Sequence, residues 1–138
     1  MHRFVFTAQA GFILLACVVQ PLVAAQSLDS FYWRAVSING EQLDLQSDQI
    51  PHIAFHQETS RIAGFGGCNR FFALYEEQGS ALTITVMGGG RSQCPDLDNL
   101  EQNFLGVLQG TQTYQLDGNK LYLMLEDKLL GEFVGVDR

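Results

Sequence analysis

Pro95-Asp96-Leu97-Asp98-Asn99-Leu100-Glu101-Gln102-Asn103-Phe104-Leu105-Gly106-Val107-Leu108-Gln109-Gly110 is the one stretch of this chain that reads as a helix. Leu97, Leu100, Phe104, Leu105 and Leu108 fall on a single stripe, the apolar face that a helix lays on a core. Pro95 and Asp96 stand where a helix starts, and Gly110 where one stops. Asp96, Asp98 and Glu101 crowd the first turns, where negative charge complements the backbone dipole.

On both sides of this helix the pattern is that of strands. Phe31-Tyr32-Trp33-Arg34-Ala35-Val36 is rich in aromatic residues and runs to a turn at Asn39-Gly40. Ile50 to His56 and Arg61 to Phe65 flank Gln57-Glu58-Thr59-Ser60, a hairpin loop. Phe71 to Tyr75 leads into an expected turn at Glu76-Glu77-Gln78-Gly79. Leu82-Thr83-Ile84-Thr85-Val86 alternates as a half-buried strand should. Beyond the helix, Thr113 to Leu116 and Lys120 to Leu125 flank Asp117-Gly118-Asn119, a strong hairpin signal. Leu129 to Val134 is the last strand. Several strands, one helix and a final meander predict an α+β domain, a curved, barrel-like antiparallel sheet with one main packed helix. Glycines at 64, 66 and 67, and again at 88 to 90, permit bulges or sharp curvature.

The first 25 residues read as a signal peptide and residues 26–138 as one domain. His2 and Arg3 precede an apolar run from Phe4 to Val19, shorter than the roughly 20 residues that span a bilayer. Pro21 breaks it, and Val23-Ala24-Ala25 offers a small-residue cleavage site. Leu14-Leu15-Ala16-Cys17 gives the alternative of a lipoprotein acylated at Cys17, although the residues after Cys17 stay apolar. A periplasmic or secreted location is therefore expected, with membrane attachment only through a lipid on Cys17. Lys and Arg total 8 against 15 Asp and Glu, a net charge of −7. Loss of Arg3 with the leader makes the domain more acidic still, which argues against nucleic acid and anionic membrane surfaces as partners. A monomer is expected.

Cys68 and Cys94 are the only cysteines outside the leader. In an oxidising compartment two such thiols most simply form a structural disulfide. A redox-active pair is the rival, but no C-x-x-C spacing supports it. His52 and His56 share one face of a strand and, with the two cysteines, would complete a Cys2His2 zinc site, though not at the usual spacing. We expect no metal and no cofactor, and keep a metal- or small-ligand-binding module as the alternative function. Gly88-Gly89-Gly90-Arg91 reads as a flexible contact loop; it lacks the Lys-Ser/Thr of a phosphate loop. No serine sits in a nucleophile elbow, and the acids lie scattered on turns. Phe31, Tyr32, Trp33, Phe71, Phe72 and Tyr75 read as core. Asn69 is expected to bond backbone within its own turn.

These residues together resemble the META domain of the HslJ-like heat-shock protein family. The resemblance runs from Trp33 to Phe133. Its markers include Ile38-Asn39-Gly40, Gly64-Phe65-Gly66-Gly67-Cys68-Asn69-Arg70-Phe71, Arg91, Cys94-Pro95, Glu101 and Phe104-Leu105. The combination of Gly66, Gly67, Cys68 and Asn69 with Arg91, Cys94 and Pro95 is the specific part. Gly90-Arg91-Ser92-Gln93-Cys94 stands where the family usually has Thr-Arg-Met-Ala-Cys, and Ala73 where it tends to have glycine. The resemblance implies a small α+β domain in the bacterial envelope, often a lipoprotein, associated with heat shock and with resistance to antibiotics such as novobiocin. It supplies no catalytic residues. The expected function is thus non-enzymatic: binding of an unidentified envelope protein or component through the sheet face or the glycine loop.

Overall fold

Trp33 and Ala35 are wholly buried while Tyr32 and Arg34, which alternate with them, are only half so, and this alternation sets the architecture. A computed structural model describes residues 3–22, 25–44 and 46–138. After a short 3₁₀ turn at Leu28–Ser30 come β1 (Tyr32–Ile38), β2 (Glu41–Gln42), β3 (His52–His56), β4 (Arg61–Phe65), β5 (Arg70–Gln78) and β6 (Ala81–Gly89). Then follow α1 (Asp98–Gly110), β7 (Thr113–Asp117), β8 (Lys120–Leu125) and β9 (Lys128–Val136). The strands form one antiparallel nine-stranded sheet, and β1 also pairs with β9 from Tyr32↔Val136 to Ile38↔Gly131. The sheet is therefore a closed ring, with β2 a short flap on the edge of β1 that β3 also uses.

The turns are those the sequence demands. Asn39 and Gly40 both have positive φ, 51° and 84°, as a two-residue hairpin turn between β1 and β2 requires. The reversal after β5 lies at Gly79-Ser80, later than expected. Glu76, Glu77 and Gln78 continue the strand and pair with Thr83, Leu82 and Ala81. Their polarity looked like a turn because this part of the hairpin projects into water. A bulge falls between Phe72 and Ala73, opposite Gly88 and Val86, where glycine-aided curvature is expected.

The ring is thin at one seam, since β6 and β7 share only the pair Ala81↔Thr113. Tyr114 crosses this seam, its hydroxyl donating to the Glu77 carboxylate at 2.5 Å. Burial, then this bond, push the phenol up to about 12. The helix α1 connects β6 to β7 in the chain and packs on β6, β1, β8 and β9. Its buried residues are Phe104, Val107 and Leu108, with Leu105 half-buried; Val107 completes the stripe read from the sequence. The Phe104 ring meets Phe71 of β5 at 5.9 Å and Phe133 of β9 at 6.2 Å, joining opposite walls. Under β1 the Trp33 indole donates to the Leu28 carbonyl at 2.7 Å.

The aromatic group expected in the core is divided. Trp33, Phe71 and Tyr75 are inside, but Tyr32 and Phe72 stand outside. Adjacent strand residues must face opposite ways, so a run of aromatics cannot all be buried by a single-layered wall. Residues 3–22 carry neither helix nor strand and are exposed, with Cys17 a free thiol. Val23 and Ala24 of the expected cleavage site lie outside the described residues. Among the described residues no helix is long and apolar enough to cross a membrane.

Candidate functional site

The Gly66-Gly67-Cys68-Asn69 stretch is the loop between β4 and β5, held against the foot of α1. Cys68 and Cys94 are joined as a disulfide, with their Cα atoms 6.0 Å apart. Gly67 has φ +106°, a conformation that side chains disfavour. This fold of the loop turns two successive N–H groups, of Cys68 and Asn69, onto one oxygen of Glu101, at 3.1 and 2.6 Å. The other oxygen accepts from Asn69 Nδ2 at 2.8 Å. Successive amides of this kind form an anion-binding nest, and here the protein's own carboxylate fills it. A Cβ on Gly66 would lie 2.8 Å from Glu101 Cγ, so the approach requires glycine.

Asn69 reaches much further than its own turn. Its Oδ1 accepts from Ser92 N at 2.9 Å and its Nδ2 donates to Ser92 O at 3.0 Å, tying the loop to the segment before α1. Gly88 and Gly89 belong to strand β6, so the expected contact loop shrinks to Gly90 and Arg91. A Cβ on Gly90 would sit 2.6 Å from Asn69 Oδ1; this glycine serves close packing. Arg91 is exposed. Cys94 N donates to Asp98 Oδ1 at 3.1 Å, and Pro95 follows at the entry to α1. Apart from the exposed Arg91, the motif is thus a clamp whose polar groups are used internally.

Glu101 is the residue whose role the sequence concealed. An acid in a first helical turn reads as a dipole partner, and only the folded loop shows its three donors. Glu101→Gln keeps the length but offers one acceptor oxygen and turns an NH2 toward donors. It should cost about 2 kcal/mol in thermal or urea unfolding, the range of hydrogen bonds to a charged group. A loss below about 0.5 kcal/mol would mean that the donors need no carboxylate.

His52 and His56 lie on the outer face of β3, opposite Phe65 and Arg61 of β4. The His52 ring is stacked between Tyr32 at 4.5 Å and Phe65 at 5.4 Å. Its Nδ1 is 3.2 Å from the Ile50 carbonyl and therefore carries the proton. Burial in this stack pushes its pKa down, the carbonyl opposes that, and Arg70 and Arg34 add to it. The Cys2His2 arrangement is not formed, since both thiols are spent in the disulfide. Among the described residues no group of three or more His, Cys, Asp and Glu is placed to hold a metal.

The outer wall of β4, β5 and β6 also carries large apolar side chains in water: Phe72 and Leu74 on β5 and Met87 on β6 are 48, 40 and 53% exposed. Further along the same outer face, at β1, β3 and the C-terminus, is an open, largely apolar hollow of about 510 Å3 lined by Tyr32, Ala54, His56, Val136, Asp137 and Arg138.

Comparison with known proteins places this architecture. The family model of the META domain matches residues 26–135, and the chain belongs to that family. Among solved structures, a crystal structure of a DUF4847-family protein from Bacteroides vulgatus superposes with a TM-score of 0.61 at 16% identity, covering 80% of this chain and 96% of that one. An NMR structure of a protein from Burkholderia xenovorans gives 0.59 at 19% identity, covering 80 and 85%. A further NMR structure gives 0.60 at 24% identity, covering 80 and 92%. At these identities the likeness is one of fold. No match was found among curated proteins.

Proposed function

We propose that this META domain is an exported, non-enzymatic binding module of the bacterial envelope that serves in stress response by engaging a protein or envelope component through the outer face of its sheet. The observation that carries this reading is the division of labour just described. The specific motif is closed on itself as a clamp, whereas the outer wall leaves Phe72, Leu74 and Met87 in water. Exposed apolar side chains gathered on one face mark contact surfaces more often than scattered ones do. The apolar leader supports export, with cleavage after Ala25 or acylation at Cys17 as the two routes. The association with heat shock and antibiotic tolerance rests on the META resemblance.

The test uses cells carrying p-benzoylphenylalanine at position 72 and, as a control, at position 126 in the β8–β9 turn. Under heat stress and ultraviolet light, position 72 should yield a discrete adduct and position 126 none. No adduct at 72, or the same adducts at both, would overturn the reading. Intact mass of the same protein reads its processing, with a start at Gln26 for the free domain and an acylated Cys17 for the lipoprotein.

A further inference from the structure

We propose that the outer face of β3, β4 and β5 is a seat for an extended acidic peptide segment of a partner protein, bearing carboxylates four residues apart with an apolar side chain midway. This deepens the preceding proposal and rests on its choice of face. The argument begins with register. Ala54 of β3 pairs with Ala63 of β4, and the row they form ends in Tyr32 on one side and Phe72 on the other. Two small side chains between two rings make a shallow apolar floor with raised walls, continuous at Tyr32 and Ala54 with the hollow of about 510 Å3.

Charge frames this floor. Arg61 stands one row away on β4, and Arg70, opposite Phe65, stands one row away on the other side. Both arginines are exposed. Arg61 and Phe65 are four residues apart on β4, so the backbone positions of Arg61 and Arg70 are about 13 Å apart along the strand direction. An extended peptide laid along β4 places residues i and i+4 at that same spacing on one side, with residue i+2 over the alanines. The outward positions of these rows on β1, β3, β4 and β5 include no acid. Glu76 follows Leu74 on β5 and Asp137 lines the adjoining hollow, both outside the rows. In a chain of net charge −7, a basic, apolar-floored face selects an acidic partner, because guanidinium–carboxylate pairs form strong paired hydrogen bonds. Stacking of His52 with Tyr32 and Phe65 keeps the neighbouring rings fixed, which lowers the ordering cost of binding.

The test is fluorescence anisotropy with a labelled peptide of about ten residues centred on Glu-Thr-Leu-Thr-Glu, five residues that match the five of β4. Its two controls have Gln for both Glu, or the acids two residues apart. The first peptide should bind, more weakly as salt rises, and each control about tenfold less well, as expected when two charge-assisted contacts are lost. Arg61→Gln and Arg70→Gln should each weaken it about fivefold with unchanged melting temperature, since both side chains are exposed. Equal binding of the Gln peptide, or indifference to both arginine substitutions, would overturn the proposal. So would binding of phosphatidylglycerol vesicles in place of the peptide, or sedimentation showing a dimer through this face. Should position 72 still yield its cellular adduct while the peptide fails, the acidic chemistry falls and the face stands; if both fail, the choice of face falls too.

Discussion

Phe104→Ala should cost about 3–5 kcal/mol, the usual loss for deleting a wholly buried aromatic ring. The ring is fully buried and bridges Phe71 on β5 and Phe133 on β9, so its removal opens a void across the middle of the ring of strands. The surrounding walls are hydrogen-bonded strands that cannot close inward, which places this site at the costly end of such substitutions. A domain of this size is stable by about 5–15 kcal/mol in all, so a large share would go. The midpoint of urea unfolding should fall with little change in slope. Asn103→Ala, on the exposed side of the same helix, should stay within about 0.5 kcal/mol of the parent. A loss under about 1 kcal/mol for Phe104→Ala would show that the helix covers the ring of strands without bracing it.

The second large effect is expected at the disulfide. Cys68 and Cys94 are separated by 26 positions, and closing a loop of that length restricts the unfolded chain by about 3.5 kcal/mol. Cys68→Ala and Cys94→Ala should each lose about that amount, and the double variant no more than either alone. Reduction of the parent protein should reproduce the loss. A double variant clearly worse than both single ones would mean that the two residues act separately. The effect should also be coupled to Glu101 and Asn69, because all four fasten one loop to the same helix start.

Much of the fold was legible because it is written locally. The stripe of Leu97, Leu100, Phe104, Leu105 and Leu108 marks α1, and the alternation of Leu82-Thr83-Ile84-Thr85-Val86 marks β6. Asn39-Gly40 and Asp117-Gly118-Asn119 mark their turns through the backbone angles they permit. The closure of β1 on β9 was not legible, since nothing in Tyr32–Ile38 specifies a partner about a hundred residues away. The candidate face was half legible. Strand parity separates Trp33 from Tyr32 and Phe71 from Phe72, but the row Tyr32, Ala54, Ala63, Phe72 exists only once four strands are in register. Glu101 was hidden for a related reason. Its donors lie 32 and 33 residues earlier, in a loop whose shape depends on Gly67 adopting a positive φ.

The pairing of β1 with β9 also governs when the molecule can be finished. The first strand waits for the last, so a chain emerging from the ribosome with its N-terminus leading holds the Trp33 side of the wall open until Lys128–Val136 has followed. Folding dominated by such distant pairings is slow. The nascent domain therefore spends its synthesis unclosed, with the inner side of its first strand uncovered until the last one arrives.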